Sequence, residues 1–220
     1  MLHHSTVNVT LWKNHLGYIP DSIWEHPEIE TLVLAENDLT EIPARIAGLK
    51  HLRMLDLGHN ALTQLPEELG DLSGLRDFLY LHDNRLARLP TSLSRLKALR
   101  YLNISGNAFQ DFPDAVCGME SLMELRATDN QLTSLPNCIA NLTRLRELHL
   151  RNNQLGTLPE SIRTLCQLRQ IDLRGNPLTA LPQALAGLPG LEKLDLRWVT
   201  TLEFPRWIND LEARGCAVYR

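Results

Sequence analysis

The stretch LRELHLRNNQLGTLPESI, residues 145–162, decides the fold. Twenty-three positions earlier the chain reads LMELRATDNQLTSLPNCI, and twenty-three later LRQIDLRGNPLTALPQAL. Leu, Asn and the Leu-Pro step keep their offsets while the residues between them drift. Asn recurs in this register at 14, 37, 60, 84, 107, 130, 153 and 176, with one step of 24 between Asn60 and Asn84. In a ninth unit Val199 takes its place, and Pro follows six residues on in all nine, from Pro20 to Pro205. A unit of this length cannot bury its apolar face alone and must stack on its neighbours.

Each half of the unit predicts an element. The alternation Leu148-His149-Leu150 reads as a short strand with one face inward. Stacked units then give a parallel sheet with strands about 4.8 Å apart. The apolar residues after Leu-Pro fall three and four apart, which predicts a short helical segment on the outer side. Pro opens that segment, where a missing N–H does no harm. The Asn amide can both donate to and accept from turn backbone that would otherwise lie buried and unpaired. The 24-residue step falls in LRDFLYLHDN and predicts a local bulge near Asp77. After Pro205, Ile208 and Leu211 are expected to pack inward from a short helix that Gly215 ends, with CAVY adding a last strand. This is a C-terminal cap, at about 205–220, for the open end of a repeat stack.

With these residues in register over about 7–208, the chain resembles the leucine-rich-repeat family, in its 23-residue Leu-Pro form. The resemblance implies an α/β fold: one right-handed solenoid of about nine repeats spanning 1–220. Its parallel sheet lines the concave face and its short helical segments line the convex face. Proteins with this form include Ras-linked scaffolds, bacterial effectors and repeats attached to kinases. The resemblance therefore implies protein binding without naming the partner.

Composition narrows the classes further. The chain is 44% hydrophobic and 22% charged, a globular balance, and only 5% aromatic, so its core is expected to be aliphatic. A net charge of -4 and a pI near 6.1 argue against binding nucleic acid or an anionic membrane. No apolar run approaches the roughly 18 residues of a membrane span. The first residues lack the basic and apolar regions of a secretory signal. Cys117, Cys138, Cys166 and Cys216 stand singly and are expected to be reduced thiols. These features predict a cytoplasmic monomer, or an exported effector without a recognisable signal. No cofactor or metal is expected, and adjacent His3 and His4 make a poor metal site. No GxxxxGK[ST], GxSxG or HExxH motif is present, and His149 has no Ser or Cys nucleophile beside it, so no enzyme activity is expected.

The face that the outer segments leave bare carries the candidate site. Residues six, four, two and one before each Asn, and one after it, point outward there. Met54, Phe78, Tyr80, His82 and Tyr101 form an aromatic patch on adjacent strands. Exposed apolar clusters usually mark contact sites, and Tyr and Arg are favoured interface anchors. Beside the patch lie Glu124, Arg126, Glu147, His149, Arg151, Arg174 and Arg197, with Asp172 and Asp195 among them. Acids and arginines on neighbouring strands are expected to pair across strands, and a partner carboxylate or phosphate is the alternative for the Arg151, Arg174 and Arg197 column. Trp198 is expected to join the cap, with a partner anchor as the alternative. The sequence thus predicts a protein-interaction module that grips a partner protein on its concave face, as a signalling scaffold or a recognition protein. The alternative is a regulatory subunit that recruits a kinase or small GTPase.

Overall fold

The computed structural model describes residues 7–220, so His3 and His4 lie outside the described residues. Among the described residues, ten parallel strands form one sheet in strict chain order, each pairing with the next. They are β1 (Val7–Thr10), β2 (Ile29–Val33), β3 (Met54–Asp56), β4 (Phe78–Tyr80) and β5 (Tyr101–Asn103). Then follow β6 (Glu124–Arg126), β7 (Glu147–His149), β8 (Gln170–Asp172), β9 (Lys193–Asp195) and β10 (Ala217–Tyr219). Most strands last only three residues, because the chain must turn outward after each buried Leu to return to the next strand.

The return paths on the convex side are tight. Among the described residues, eight five-residue 3-10 segments run from Asp21–Glu25 to Gln183–Gly187. Pro stands immediately before each, and its carbonyl accepts the first bond of the turn, as from the Ile162 N–H to Pro159 at 3.1 Å. Five residues hold little more than one α-turn, so i→i+3 bonding closes the segment more economically. The ninth return is a true helix, α1 (Ile208–Ala213), with Ile208 and Leu211 buried as the cap pattern predicts. Gly215 follows at φ 92° and lets the chain turn into β10.

Between sheet and convex segments lies an aliphatic core, most of its leucines fully buried and Phe109 the largest side chain inside. Removing each such side chain from water is worth about 1.5–3 kcal/mol. The repeated Asn residues close the turns. Asn153 donates to the carbonyls of Ala127, Leu150 and Arg151 and accepts from the Leu132 N–H. The residue before each Asn position adopts a left-handed conformation in all nine units, from Lys13 to Trp198, and only Gly106 and Gly175 are glycine there.

The extra residue of the fourth unit is absorbed ahead of β4. The N–H groups of Arg76 and Asp77 both donate to the Arg53 carbonyl, and from Phe78 the register with β3 is regular. The Asp77 carboxylate accepts from Arg53 at 3.0 Å, which fastens the irregular segment to the previous unit. The cysteines correct the expectation of four reduced thiols. Cys117 and Cys138, in consecutive convex segments, are joined by a disulfide with their Cα atoms 5.7 Å apart. Cys166 is exposed and Cys216 buried, both free.

Candidate functional site

Strand pairing fixes two outward columns across the sheet. One aligns Met54, Phe78, Tyr101, Glu124 and Glu147, and the other aligns Tyr80, Asn103, Arg126 and His149. His82, Arg151, Arg174 and Arg197 follow just past the strands on the same face. All twelve predicted residues therefore share one surface. Phe78 is exposed, at 42%, and the other eleven are half-buried.

The aromatic patch is a packed cluster. The Phe78 ring stacks at 5.9 Å on Tyr80 and lies 5.4 Å from Tyr101, and the two tyrosines are 5.0 Å apart. Tyr80 meets His82 edge-on at 5.9 Å. Each such pair adds about 0.5–1.5 kcal/mol beyond the area it buries, so the patch is pre-ordered. Burial pushes the Tyr101 phenol up to about 12 and, with Asp56 and Glu124 nearby, raises Tyr80 as well. It lowers His82, whose imidazole is therefore neutral at pH 7. An open hollow of about 260 Å³ lies against Phe78, Tyr101 and Met123.

The charged columns pair differently from expectation. Three arginines bond the acid two residues earlier on their own strand, not one across the sheet. Arg126 donates to Glu124 at 2.6 Å, Arg174 to Asp172 at 2.8 and 2.6 Å, and Arg197 to Asp195 at 2.9 and 2.8 Å. Arg151 instead donates across strands, to Asp129 at 3.1 Å, and Arg174 also approaches Asp195 of the next strand to 3.6 Å. A two-residue spacing puts both side chains on one face, so the pairing costs no change of direction. Like charges that face each other are bridged: Arg174 sits between Asp172 and Asp195, and His149 between Glu124 and Glu147. A depression of about 250 Å³ lies among Arg126, His149, Arg151, Arg174 and Lys193.

On this face the His149 side chain is 15% exposed and its Nε2 lies 3.1 Å from Glu147. One further expectation needs correction. Trp198 is not part of the cap. It is 66% exposed, and the guanidinium groups of Arg174 and Arg197 each lie 5.8 Å from its ring centroid. The sequence reading also passed over His59 and Asp83, which approach His82 from the left-handed turn positions. Their place immediately before the repeated Asn was the available clue. Among the described residues, no helix is long and apolar enough to cross a membrane.

Comparison with known proteins agrees with this architecture. A family profile described as leucine rich repeat matches residues 5–62, 27–86 and 143–198, and a leucine-rich repeat region profile matches 67–155. No curated protein matches. Among solved structures, a leucine-rich-repeat protein of Leptospira interrogans is 27% identical, with a TM-score of 0.74. The alignment covers 94% of this chain and 64% of that one. The ectodomain of the Arabidopsis thaliana receptor kinase GASSHO1/SCHENGEN3, in complex with CASPARIAN STRIP INTEGRITY FACTOR 2, is 32% identical, with a TM-score of 0.76. The plant peptide hormone receptor RGFR1, in complex with RGF2, is 33% identical, with a TM-score of 0.77. Each of these two alignments covers 87% of this chain, but only 24% and 32% of the respective receptor chains. The repeat register, the ordered parallel sheet and these matches together make this chain a member of the leucine-rich-repeat family.

Proposed function

We propose that this chain is a protein-recognition module that seats a partner protein across its concave sheet. The observation that carries the reading is the Phe78–Tyr80–Tyr101 cluster. It is a partly exposed aromatic surface in the middle of the sheet, beside charged columns whose arginines are already paired with acids. Such a cluster loses little entropy on binding, because its rings are already held by one another and by rigid strands. It offers the amphipathic anchors that dominate interface energies. The paired arginines and acids then select register and charge, adding specificity more than affinity. Two of the solved relatives above were captured with a second, named factor bound, which fits the use of this fold for recognition. A scaffold role, or as the alternative the recruitment of a kinase or small GTPase, would use the same surface.

The test is a comparison of the native chain with a Tyr80→Ala, Tyr101→Ala double variant. Both are used to isolate a partner from the source organism, and affinity is then measured with the purified partner. Loss of at least thirtyfold, about 2 kcal/mol, with a native-like melting transition supports the reading. Equal affinity for both chains overturns it.

A further inference from the structure

We propose that His59, His82 and Asp83 form a binding site for a divalent transition-metal ion of the zinc class on the concave face. One ligand atom from each lies within 4.8 Å of the others. Bonds of about 2.0–2.2 Å to a tetrahedral ion place its donors roughly 3.3–3.5 Å apart, so the three must draw in by about an ångström. His59 and Asp83 are exposed and have the freedom to do so, while half-buried His82 is the fixed point. Two imidazoles and one carboxylate are a borderline donor set, suited to zinc and its neighbours rather than to calcium or magnesium.

The surroundings fit that use. The His82 ring occupies space that exists only because residue 58 is glycine; a Cβ there would stand 2.3 Å from His82 Cε1. Asp83 likewise lies over Gly106, where a Cβ would stand 2.2 Å from its Oδ1. Backbone bonds between neighbouring repeats hold the turns, His59 N–H to the His82 carbonyl at 2.9 Å and Asp83 N–H to Ser105 at 2.8 Å. His82 Nδ1 is buried with no hydrogen-bond partner among the described residues. The carboxylates that bear on His82 are those of Asp56 and Asp83, and both attract a cation. The second donor group on this face, Glu124, Glu147 and His149, differs because the Arg126 guanidinium already occupies Glu124. Three protein ligands leave the zinc-class ion an open position, for water or for a donor from whatever protein the adjacent aromatic patch seats.

Binding is tested on the chain alone, so its outcome is independent of the partner reading. Zn²⁺ is titrated calorimetrically into the full chain, and Co²⁺ binding is followed by its visible absorption. Variants are His59→Ala, Asp83→Asn, His149→Ala and the pair His3→Ala, His4→Ala. The expected result is one ion per chain, with affinity falling at least tenfold in His59→Ala and in Asp83→Asn. Both of these variants melt like the native chain in the absence of metal. The remaining variants bind as the native chain does. Absence of Zn²⁺ binding overturns the site. So does binding that survives His59→Ala and Asp83→Asn, or that disappears with His149→Ala or with the terminal pair.

Discussion

The side-chain amide of Asn153 donates to the backbone carbonyl of Ala127, in the preceding repeat, at 2.8 Å. Asn153 is 1% exposed, so a shorter apolar residue would leave that carbonyl, and the Leu132 N–H that donates to the Asn153 oxygen, unpaired in the interior. Each buried orphan costs about 1–3 kcal/mol. Asn153→Ala is expected to lower unfolding stability by about 2–4 kcal/mol. Asn14 occupies the same register in the first repeat but is exposed, and Asn14→Ala is expected to cost less than about 0.5 kcal/mol. Urea unfolding of both variants checks the contrast.

The contrast shows why the fold was legible in the sequence. Leu148, Leu150, Asn153, Leu155 and Pro159 each do one job that few other residues do, and the job recurs, so the letters recur. The outward columns were legible for the same reason, since period two fixes which side a residue faces. Conformation at the turn was less legible. Lys13, Glu36 and Trp198 adopt positive φ because the turn demands it, although none is a residue that favours it. Contacts that cross between repeats were hidden as well. Cys117 is the fourth residue of its convex segment and Cys138 the second of its own, so no shared offset announced their bond. His59, His82 and Asp83 meet through register and turn geometry together, neither of which spacing alone reveals.

Tyr101 gives a pH-dependent signature. Burial raises its phenol to about 12, against about 10 in an unfolded chain. The unfolded state therefore releases this proton first as pH rises. The neutral phenol's contribution to stability is complete below about pH 10 and is lost as pH climbs towards 12. Tyr101→Phe, which has no proton to lose, is expected to show a shallower loss of stability over that window. Denaturant midpoints measured across it, beside a phenolate absorbance titration, provide the check.

The disulfide makes a countable prediction. Of the chain's four cysteines, Cys166 is exposed, Cys216 is buried, and Cys117 and Cys138 are joined. A thiol reagent is expected to label one cysteine rapidly in the native oxidised chain, two after unfolding, and four after unfolding with reduction. The bond closes a loop with a sequence separation of 21, for which chain entropy gives about 3 kcal/mol of stabilisation. Reduction is expected to lower stability by about that amount. Four reactive thiols in chain recovered unreduced from its source would instead fit a reducing cytoplasm.

Asp195 is the keystone of the charged end of the face. Its side chain is 1% exposed, yet Arg197 binds it at 2.8 Å, Arg174 approaches to 3.6 Å and Lys193 to 4.0 Å. Burial works to raise its carboxyl. The hydrogen bonds from the Arg197 side chain and backbone, with the charge of Arg174, outweigh that and hold it below the usual carboxylate range. A depressed folded pKa means stability that is present above the unfolded value, near 3.9, and lost as pH falls through the folded one. Asp195→Asn removes the shared anion and leaves three cations with Asp172 alone among the acids they contact. It is expected to cost about 3 kcal/mol at neutral pH, as breaking a buried pair does, and to flatten the acid limb of the stability profile. Asp172 is more exposed, at 13%, and serves Arg174 alone, so Asp172→Asn is expected to cost less. Urea midpoints of the native chain and both variants, taken from neutral pH to about pH 3, measure both effects. Equal losses in the two variants, or an unchanged acid limb in Asp195→Asn, would show that the arginines draw their neutralisation from elsewhere.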